Sequence, residues 1–451
     1  MSLRCTLLLC LLSAPVSAAP AEWKAAAAKG VITPTESMWM AGYASRNKPS
    51  EGTTQDLYAK TLVLEDAHGK RLAIVTLDLI GVPRALREAV EKQVQEQFGL
   101  PPESLLLNAS HTHCGPELRV PRAANDAGAD SARAAQALAY STRLETTVVK
   151  LIGDALARLE PVQLGYSHAR CGFAMNRRLP TDDGYRNSPY PDGPVDHYVP
   201  VLRVEADGKL RAILFGYACH NTTLSFYQFC GDYAGYAQEY LEAAHPEAVA
   251  LFVTGCGADQ NPYPRGELEQ CQQHGRALAN AVETALLPKP KPIAGPLSTA
   301  LETAVLQFAP PPDRAGLEAR AKSTNTYEAR HAQRLLDQLD QNGTIPLEYP
   351  YLAQVIRFGG DLTLIALAGE VVVDYSLRLK RELAGETVWM AGYSNDVFGY
   401  VPSQRVLREG GYEGGGAMVY TSLPGPFADD VEDRIHAKVR ELLERTKLSA
   451  R

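Results

Sequence analysis

Along most of this chain the apolar positions recur with the periods of strands and helices. Tyr58 to Leu79 holds two apolar runs around the polar turn Asp66-Ala-His-Gly-Lys70, which predicts a β-hairpin. From Pro83 to Phe98, Leu86, Val90, Val94 and Phe98 recur every four residues behind a proline, predicting an amphipathic helix. A third apolar run, Ser104 to Leu107, then leads into Asn108-Ala-Ser-His-Thr-His-Cys-Gly-Pro116. Further helices are predicted over Ser131 to Leu159, Tyr233 to Ala244 and Ala428 to Lys447, and strands over Val201 to Glu205, Leu210 to Tyr217, Val249 to Thr254 and Leu362 to Ala368. Gly172 to Pro200, rich in Gly, Pro, Asn, Asp and Arg, reads as an irregular surface segment. Pro288 to Pro312 reads as a proline-rich connection, and the charged stretch Arg314 to Gln341 as an exposed helical excursion. Together these elements predict an α/β fold, a mixed β-sheet core flanked by helices in one large domain. Such folds place their sites at strand ends.

Four apolar strands end in residues able to bind a metal: His111 with His113, His220, Asp259, and Glu370. In an extended segment residues two apart face the same side, so His111 and His113 can converge on one point. Such a pair either holds a divalent metal or sets one ligand beside a general base. Histidine and carboxylate together suit zinc.

Composition narrows the field. A net charge of -7 and the absence of any Lys/Arg cluster argue against nucleic acid as a partner. Residues 1–18 read as a secretory signal, with Arg4 before an apolar core from Cys5 to Leu12 and small residues at Val16-Ser-Ala18; residues 19–451 form the mature part. A secreted or periplasmic protein follows. Cys114, Cys171, Cys219, Cys230, Cys256 and Cys271 remain after cleavage, and in an oxidising compartment disulfides are expected; the pairing stays open among 15, with Cys256 to Cys271 as one candidate. Cys114 and Cys219, each beside a histidine, read as structural rather than metal-binding. Asn108, Asn221 and Asn342 stand in glycosylation sequons.

The motifs Ala41-Gly-Tyr-Ala44, Ser110-His-Thr-His-Cys-Gly-Pro116, Asn176-Arg177, Ala218-Cys-His220, Gly231-Asp-Tyr-Ala-Gly-Tyr236, Gly369-Glu370, Tyr400 and Gly411-Tyr-Glu-Gly414 occur in this order. In that order they resemble the catalytic domain of the neutral (non-lysosomal) ceramidase family, from about Trp39 to Asp429. The resemblance implies a zinc amidase that cleaves the N-acyl bond of ceramide, with one Zn2+ per chain. It implies His111, His220, Glu370 and Tyr400 as metal ligands and His113 as a non-ligand active-site histidine. Arg177 and Tyr412 match groups around the substrate amide and its developing oxyanion. A small-molecule or lipid N-acyl substrate is implied, with peripheral membrane contact through a lipid; no oligomeric state is.

The chain departs from the family twice. Where the family carries a serine in Gly-Asp-Val-Ser-Pro-Asn, this chain has Gly257-Ala-Asp-Gln-Asn-Pro262, which puts Asn261 in the serine's place. An amide only donates and accepts hydrogen bonds, so zinc-activated water is expected as the nucleophile, with Asn261 or Gln260 positioning the substrate. Cys256 is the other nearby nucleophile. The second departure concerns the immunoglobulin-like C-terminal domain of the family, for which no counterpart is expected beyond the Ala428 to Lys447 helix. Two alternatives accompany the amidase reading. One is a zinc hydrolase of another substrate class, such as an amino-sugar deacylase or an esterase; the other is an inactive binding protein that kept its metal site.

Overall fold

The computed structural model describes residues 23–118 and 131–447; the expected signal segment lies outside the described residues. Two β-sheets stacked face to face form the centre. The larger runs in the order Val249–Thr254, Lys209–Tyr217, Tyr198–Ala206, Glu160–Arg170, Trp23–Val31, Tyr58–Asp66, Arg71–Leu77, Leu105–Ala109, with Lys291–Pro292 beside Glu160–Arg170. The smaller runs Leu297–Gln307, Glu348–Phe358, Leu362–Leu367, Val388–Ala391. Alternation along each strand explains the stacking. Leu62, Leu64, Leu72, Ile74 and Leu106 face the smaller sheet and meet Ile356, Phe358, Leu364 and Trp389. Their neighbours Val63, Ala73, Val75, Leu105 and Leu107 face the other way, under the helices Arg84–Phe98, Ser131–Leu156, Asp232–Ala244 and Leu268–Leu286. Val373–Glu382 and Val431–Arg445 cover the outer face of the smaller sheet. The result is helix, sheet, sheet, helix. Because both faces of each sheet are buried, the strands read as continuous apolar runs.

Three parallel strand pairs set the position of the site. Arg71–Leu77 runs beside Leu105–Ala109, Lys209–Tyr217 beside Val249–Thr254, and Leu362–Leu367 beside Val388–Ala391. Parallel neighbours finish at the same edge, so loops after all three pairs meet there. Asn108 ties them together. Its Nδ2 donates to Gly392 O at 2.7 Å, and its Oδ1 accepts from Thr254 N at 2.9 Å.

Several expectations change. Gly172 to Pro200 is not irregular throughout, because Ala174–Thr181 and Gly184–Tyr190 form a hairpin that pairs with Gln260–Pro262. Its polar residues suit an exposed hairpin, which is why they read as a loop. Pro288 to Pro312 is not a mere connection: its prolines flank Leu297–Gln307, an 11-residue strand of the smaller sheet. The excursion is two helices, Arg314–Arg320 and Thr326–Asn342, which share a small core of Leu317, Leu335 and Leu336.

All six cysteines outside the first segment are buried free thiols. Cys256 lies under the smaller sheet and Cys271 under the larger, so the candidate pairing of these two is not made. Asn108 and Asn221 are fully buried, which removes both as glycosylation sites, while Asn342 is exposed. Among the described residues no helix is long and apolar enough to cross a membrane.

Candidate active site

His111 stands two residues beyond the strand Leu105–Ala109 and takes a left-handed backbone, φ 62. The convergence of His111 and His113 therefore comes from a turn rather than from strand alternation, since an L-residue leaves extended geometry at positive φ. The turn brings Nε2 of His113 within 3.1 Å of Nε2 of His111. His220 reaches the same point from beyond Lys209–Tyr217, and the ligand nitrogens of the three histidines all lie within 4.8 Å of one another. Glu370 follows Gly369, whose φ of 76 suits glycine, and pairs in parallel register with Tyr400. That register sets the carboxylate beside the phenol.

The ring nitrogens are oriented from behind. Nδ1 of His111 lies 2.6 Å from Ile80 O and Nδ1 of His220 lies 2.9 Å from Gly257 O. A carbonyl only accepts, so each Nδ1 carries the proton and each Nε2 presents a lone pair. These lone pairs face Oε2 of Glu370 at 3.3 and 3.4 Å. Burial, and then Arg177, pull His220 down to about 3, so its ring is neutral. Oε2 is buried with no donor. Acceptors converging on one point without a proton between them fit a cation, and an N,N,O donor set whose histidines are held through their second nitrogen fits zinc.

His113 differs from the other two histidines. Its Nδ1 is buried with no hydrogen-bond partner, so neither nitrogen is fixed as donor by a carbonyl. Burial, then His111 and His220, keep its pKa well below the ordinary value. The ring is held by packing, with Tyr43 edge-on at 4.9 Å and Gly42 so close that an added Cβ would meet Nδ1 at 2.4 Å. Arg46 donates to His113 O at 2.6 Å.

Arg177, Tyr400, Tyr412 and Asn261 form a layer around this centre. Arg177 donates to Tyr400 Oη at 2.9 Å and to Asn261 Oδ1 at 3.1 Å, and it is paired with Glu413 at 2.8 Å. Tyr400 Oη lies 3.2 Å from Nε2 of His220. Asn261 also lies 3.3 Å from Tyr263 Oη, deep behind Arg177. Tyr412 packs on Tyr400 at 5.2 Å and is 37% exposed. A cavity of about 350 Å³ opens onto His111, His113, Glu370, Tyr400 and Tyr412, with Ile80, Leu118, Val397 and Phe398 as apolar wall.

Asp259, one of the strand-end candidates, does not join the centre. Its oxygens accept from Val373 N at 2.8 Å and Asn176 Nδ2 at 3.1 Å, which makes it a brace between the helix Val373–Glu382 and the strand Ala174–Thr181. Cys256 is fully buried, and burial pushes its thiol far up, so it is unfit as a nucleophile. Glu413, Arg178 and Tyr393 also belong to the site, though no pattern in the sequence singles them out. Glu413 bonds both Arg177 and Arg178, and Tyr393 packs on His111 at 4.5 Å. Glu413 stands in Gly411-Tyr-Glu-Gly414 and Arg178 follows Asn176-Arg177, so adjacency to the motifs was the available signal.

Comparison with known proteins agrees in sequence and in fold. The family described as neutral/alkaline non-lysosomal ceramidase, N-terminal, matches residues 26–281. No curated protein matches in sequence. The crystal structure of neutral ceramidase from Pseudomonas aeruginosa superposes with a TM-score of 0.75 at 20% identity, over 96% of this chain and 76% of that one. A structure described as ceramidase complexed with C2 gives 0.72 at 20% identity, over 96% of this chain and 77% of the other. The family match spans more than half of the sequence, and this chain belongs to the neutral/alkaline non-lysosomal ceramidase family.

Proposed function

We propose that the protein is a secreted or periplasmic zinc-dependent amide hydrolase that cleaves the N-acyl bond of ceramide or a related N-acyl molecule. The observation that carries this reading is the donor-free Oε2 of Glu370 facing the lone pairs of His111 and His220. His111, His220, Glu370 and Tyr400 would hold one zinc ion. When bound, zinc supplies Lewis acidity to a carbonyl and acidifies water at neutral pH.

The remaining steps belong to the chain's own groups. His113, neutral and with no carbonyl fixing either nitrogen, takes a proton from the attacking water and returns it to the leaving amine. Tyr412 stands in the cavity wall, where its hydroxyl can donate to the developing oxyanion. Arg177 acts through Tyr400, holding the phenol oxygen, and Asn261 and Glu413 fix the guanidinium from behind. With Asn261 in the serine's place and Cys256 buried, no side chain of that loop offers a nucleophile, which favours water. The pale wall of Ile80, Leu118, Val397 and Phe398 suits an apolar acyl group.

The test is hydrolysis of a fluorescent short-chain ceramide beside an N-acetylhexosamine and a simple ester, before and after chelator treatment and zinc return. Chelator-sensitive turnover of the ceramide is expected. Turnover of the sugar or ester alone would move the assignment to another substrate class, and no turnover of any amide would end it. His111→Ala is expected to lose bound zinc; full stoichiometry in that variant would overturn the ligand set.

A further inference from the structure

Tyr393 stands where the three loops that deliver His111, His220 and Glu370 meet. It follows the strand Val388–Ala391 by two residues and is fully buried. Each loop touches a different part of it. Its backbone N–H donates to Gly369 O at 3.0 Å, next to Glu370, and its carbonyl accepts from Ala109 N at 3.2 Å, two residues before His111. Its ring centroid lies 4.5 Å from that of His111, tilted by 43°, and 6.1 Å from that of His220, edge-on at 88°. Its hydroxyl oxygen lies 3.4 Å from Nδ1 of His220.

The backbone of Tyr393 is left-handed, with φ 49. That conformation costs a bulky L-residue free energy, and it persists only where the surrounding structure over-determines it, most often at functional sites. Here N–H and carbonyl serve two ligand loops while the ring packs on the histidines of the other contacts. His111 is left-handed as well, φ 62, so two residues in this costly conformation pack ring against ring. Nδ1 of His220 already donates to Gly257 O at 2.9 Å, which leaves the tyrosine oxygen as a second, longer acceptor for the same proton. The ring therefore contributes more than the hydroxyl. Tyr393 does not line the cavity, so it acts through the ligands and not on substrate.

We infer that Tyr393 is a positioning residue for the metal ligands: it fixes the rings of His111 and His220 and the Gly369-Glu370 turn relative to one another, so that their donor atoms converge on one point. Preorganising a site in this way is what a locked supporting side chain supplies. The inference rests on the zinc hydrolase reading above.

The test compares Tyr393→Leu and Tyr393→Phe with a control, Phe358→Leu, each in the full chain. Phe358 is also fully buried, but it pairs with Leu362, at the end of the smaller sheet opposite Glu370. Competition with a chromophoric chelator gives the zinc Kd, and the visible absorption of the Co2+-loaded chain reports ligand geometry. Tyr393→Leu is expected to raise the zinc Kd at least tenfold and to change the Co2+ spectrum, and Tyr393→Phe to raise the Kd about threefold. Phe358→Leu is expected to lower stability while its Kd stays within twofold of the parent's and its spectrum is kept. A Tyr393→Leu Kd within twofold of the parent's, or equal weakening in Tyr393→Leu and Phe358→Leu, overturns the role. If Tyr393→Leu does not fold, Tyr393→Phe decides, and an unchanged Kd overturns it. A parent that binds zinc but hydrolyses no amide ends the hydrolase reading, and the Kd comparison still judges Tyr393. A parent that binds no zinc ends both.

Discussion

Arg177 donates from Nη2 to the phenol oxygen of Tyr400 across 2.9 Å, so the hydroxyl of Tyr400 has its own proton to place elsewhere. Nε2 of His220, 3.2 Å away, is the acceptor at hand. A cation held by His111, His220 and Glu370 would compete for both the lone pairs of Tyr400 and that nitrogen. The guanidinium favours the phenolate form that ligation needs, while burial raises the phenol well above its usual range. Tyr400→Phe keeps the ring and removes the donor. Zinc affinity is expected to fall by about tenfold, within the range for loss of a group that tunes a metal site. Competition with a chromophoric chelator measures it. An unchanged Kd would take Tyr400 out of the ligand set.

The pair of arginines behind Tyr400 gives a stability prediction. Glu413 lies 2.8 Å from Arg177 and 2.7 Å from Arg178, and all three side chains are buried. Glu413→Gln leaves the buried guanidinium of Arg177 without its carboxylate, while Arg178 keeps Glu409 at 3.1 Å; breaking a buried pair in this way costs about 3–5 kcal/mol. Urea unfolding should show a lower midpoint at an unchanged slope. A loss below about 1 kcal/mol would place these charges in contact with water instead.

The same carboxylate sets an acid limit. Burial pushes Glu413 up, but Arg177 and Arg178 outweigh it and lower its pKa below 4.5. A depressed folded value means the pair stabilises fully above the unfolded pKa and is lost as pH falls through the folded one. Parent stability measured from pH 6 downward should therefore decline below about pH 4.5, and Glu413→Gln should remove part of that slope. Parallel pH curves for the two proteins would assign the acid transition to other groups.

What could be read from the sequence divides along physical lines. Individual strands and helices were legible because burial imposes a period on neighbouring residues, as in Leu86, Val90 and Val94. The stacking of two sheets was not, because Leu62 and Val63 are equally apolar although they face opposite layers. His111, His113, His220, Glu370 and Tyr400 were found through their motifs, and the structure brings them together. The turn that joins the histidine pair is not legible in the same way, since a left-handed φ at His111 has no signature in the residue itself. Asp259 shows the opposite limit: a carboxylate at a strand end looks the same in sequence whether it faces a metal or, as here, a helix N–H and the amide of Asn176. Glu413 and Tyr393 depend on contacts made across the fold, which local patterns do not carry.

Asn108 joins fold and site, and its removal should be felt in both. It accepts from Thr254 N and donates to Gly392 O and to Ser394 Oγ, at 2.9, 2.7 and 3.1 Å. Asn108→Ala leaves the buried Thr254 amide unpaired and opens a small cavity, while Gly392 O keeps Ser394 Oγ at 2.8 Å. A loss of about 2–4 kcal/mol is expected from the unsatisfied amide and the cavity, seen as a lower thermal midpoint. A midpoint within about one degree of the parent's would mean that other groups rejoin the strand ends.

Gly42 offers a way to separate His113 from the metal ligands without altering a histidine. Its φ of 102 suits glycine, and an added Cβ would come within 2.4 Å of His113 Nδ1 and 2.7 Å of its Cβ. Gly42→Ala must therefore move the His113 ring or the loop that carries it. His111 and His220 are held independently, by the carbonyls of Ile80 and Gly257. If His113 moves protons and does not bind the metal, Gly42→Ala should retain close to one zinc per chain while kcat falls by about 100-fold, the usual contribution of a positioned general base. His113→Ala should behave alike in both measurements. Loss of zinc from both variants, in step with activity, would make His113 a ligand and leave the proton transfer to another group.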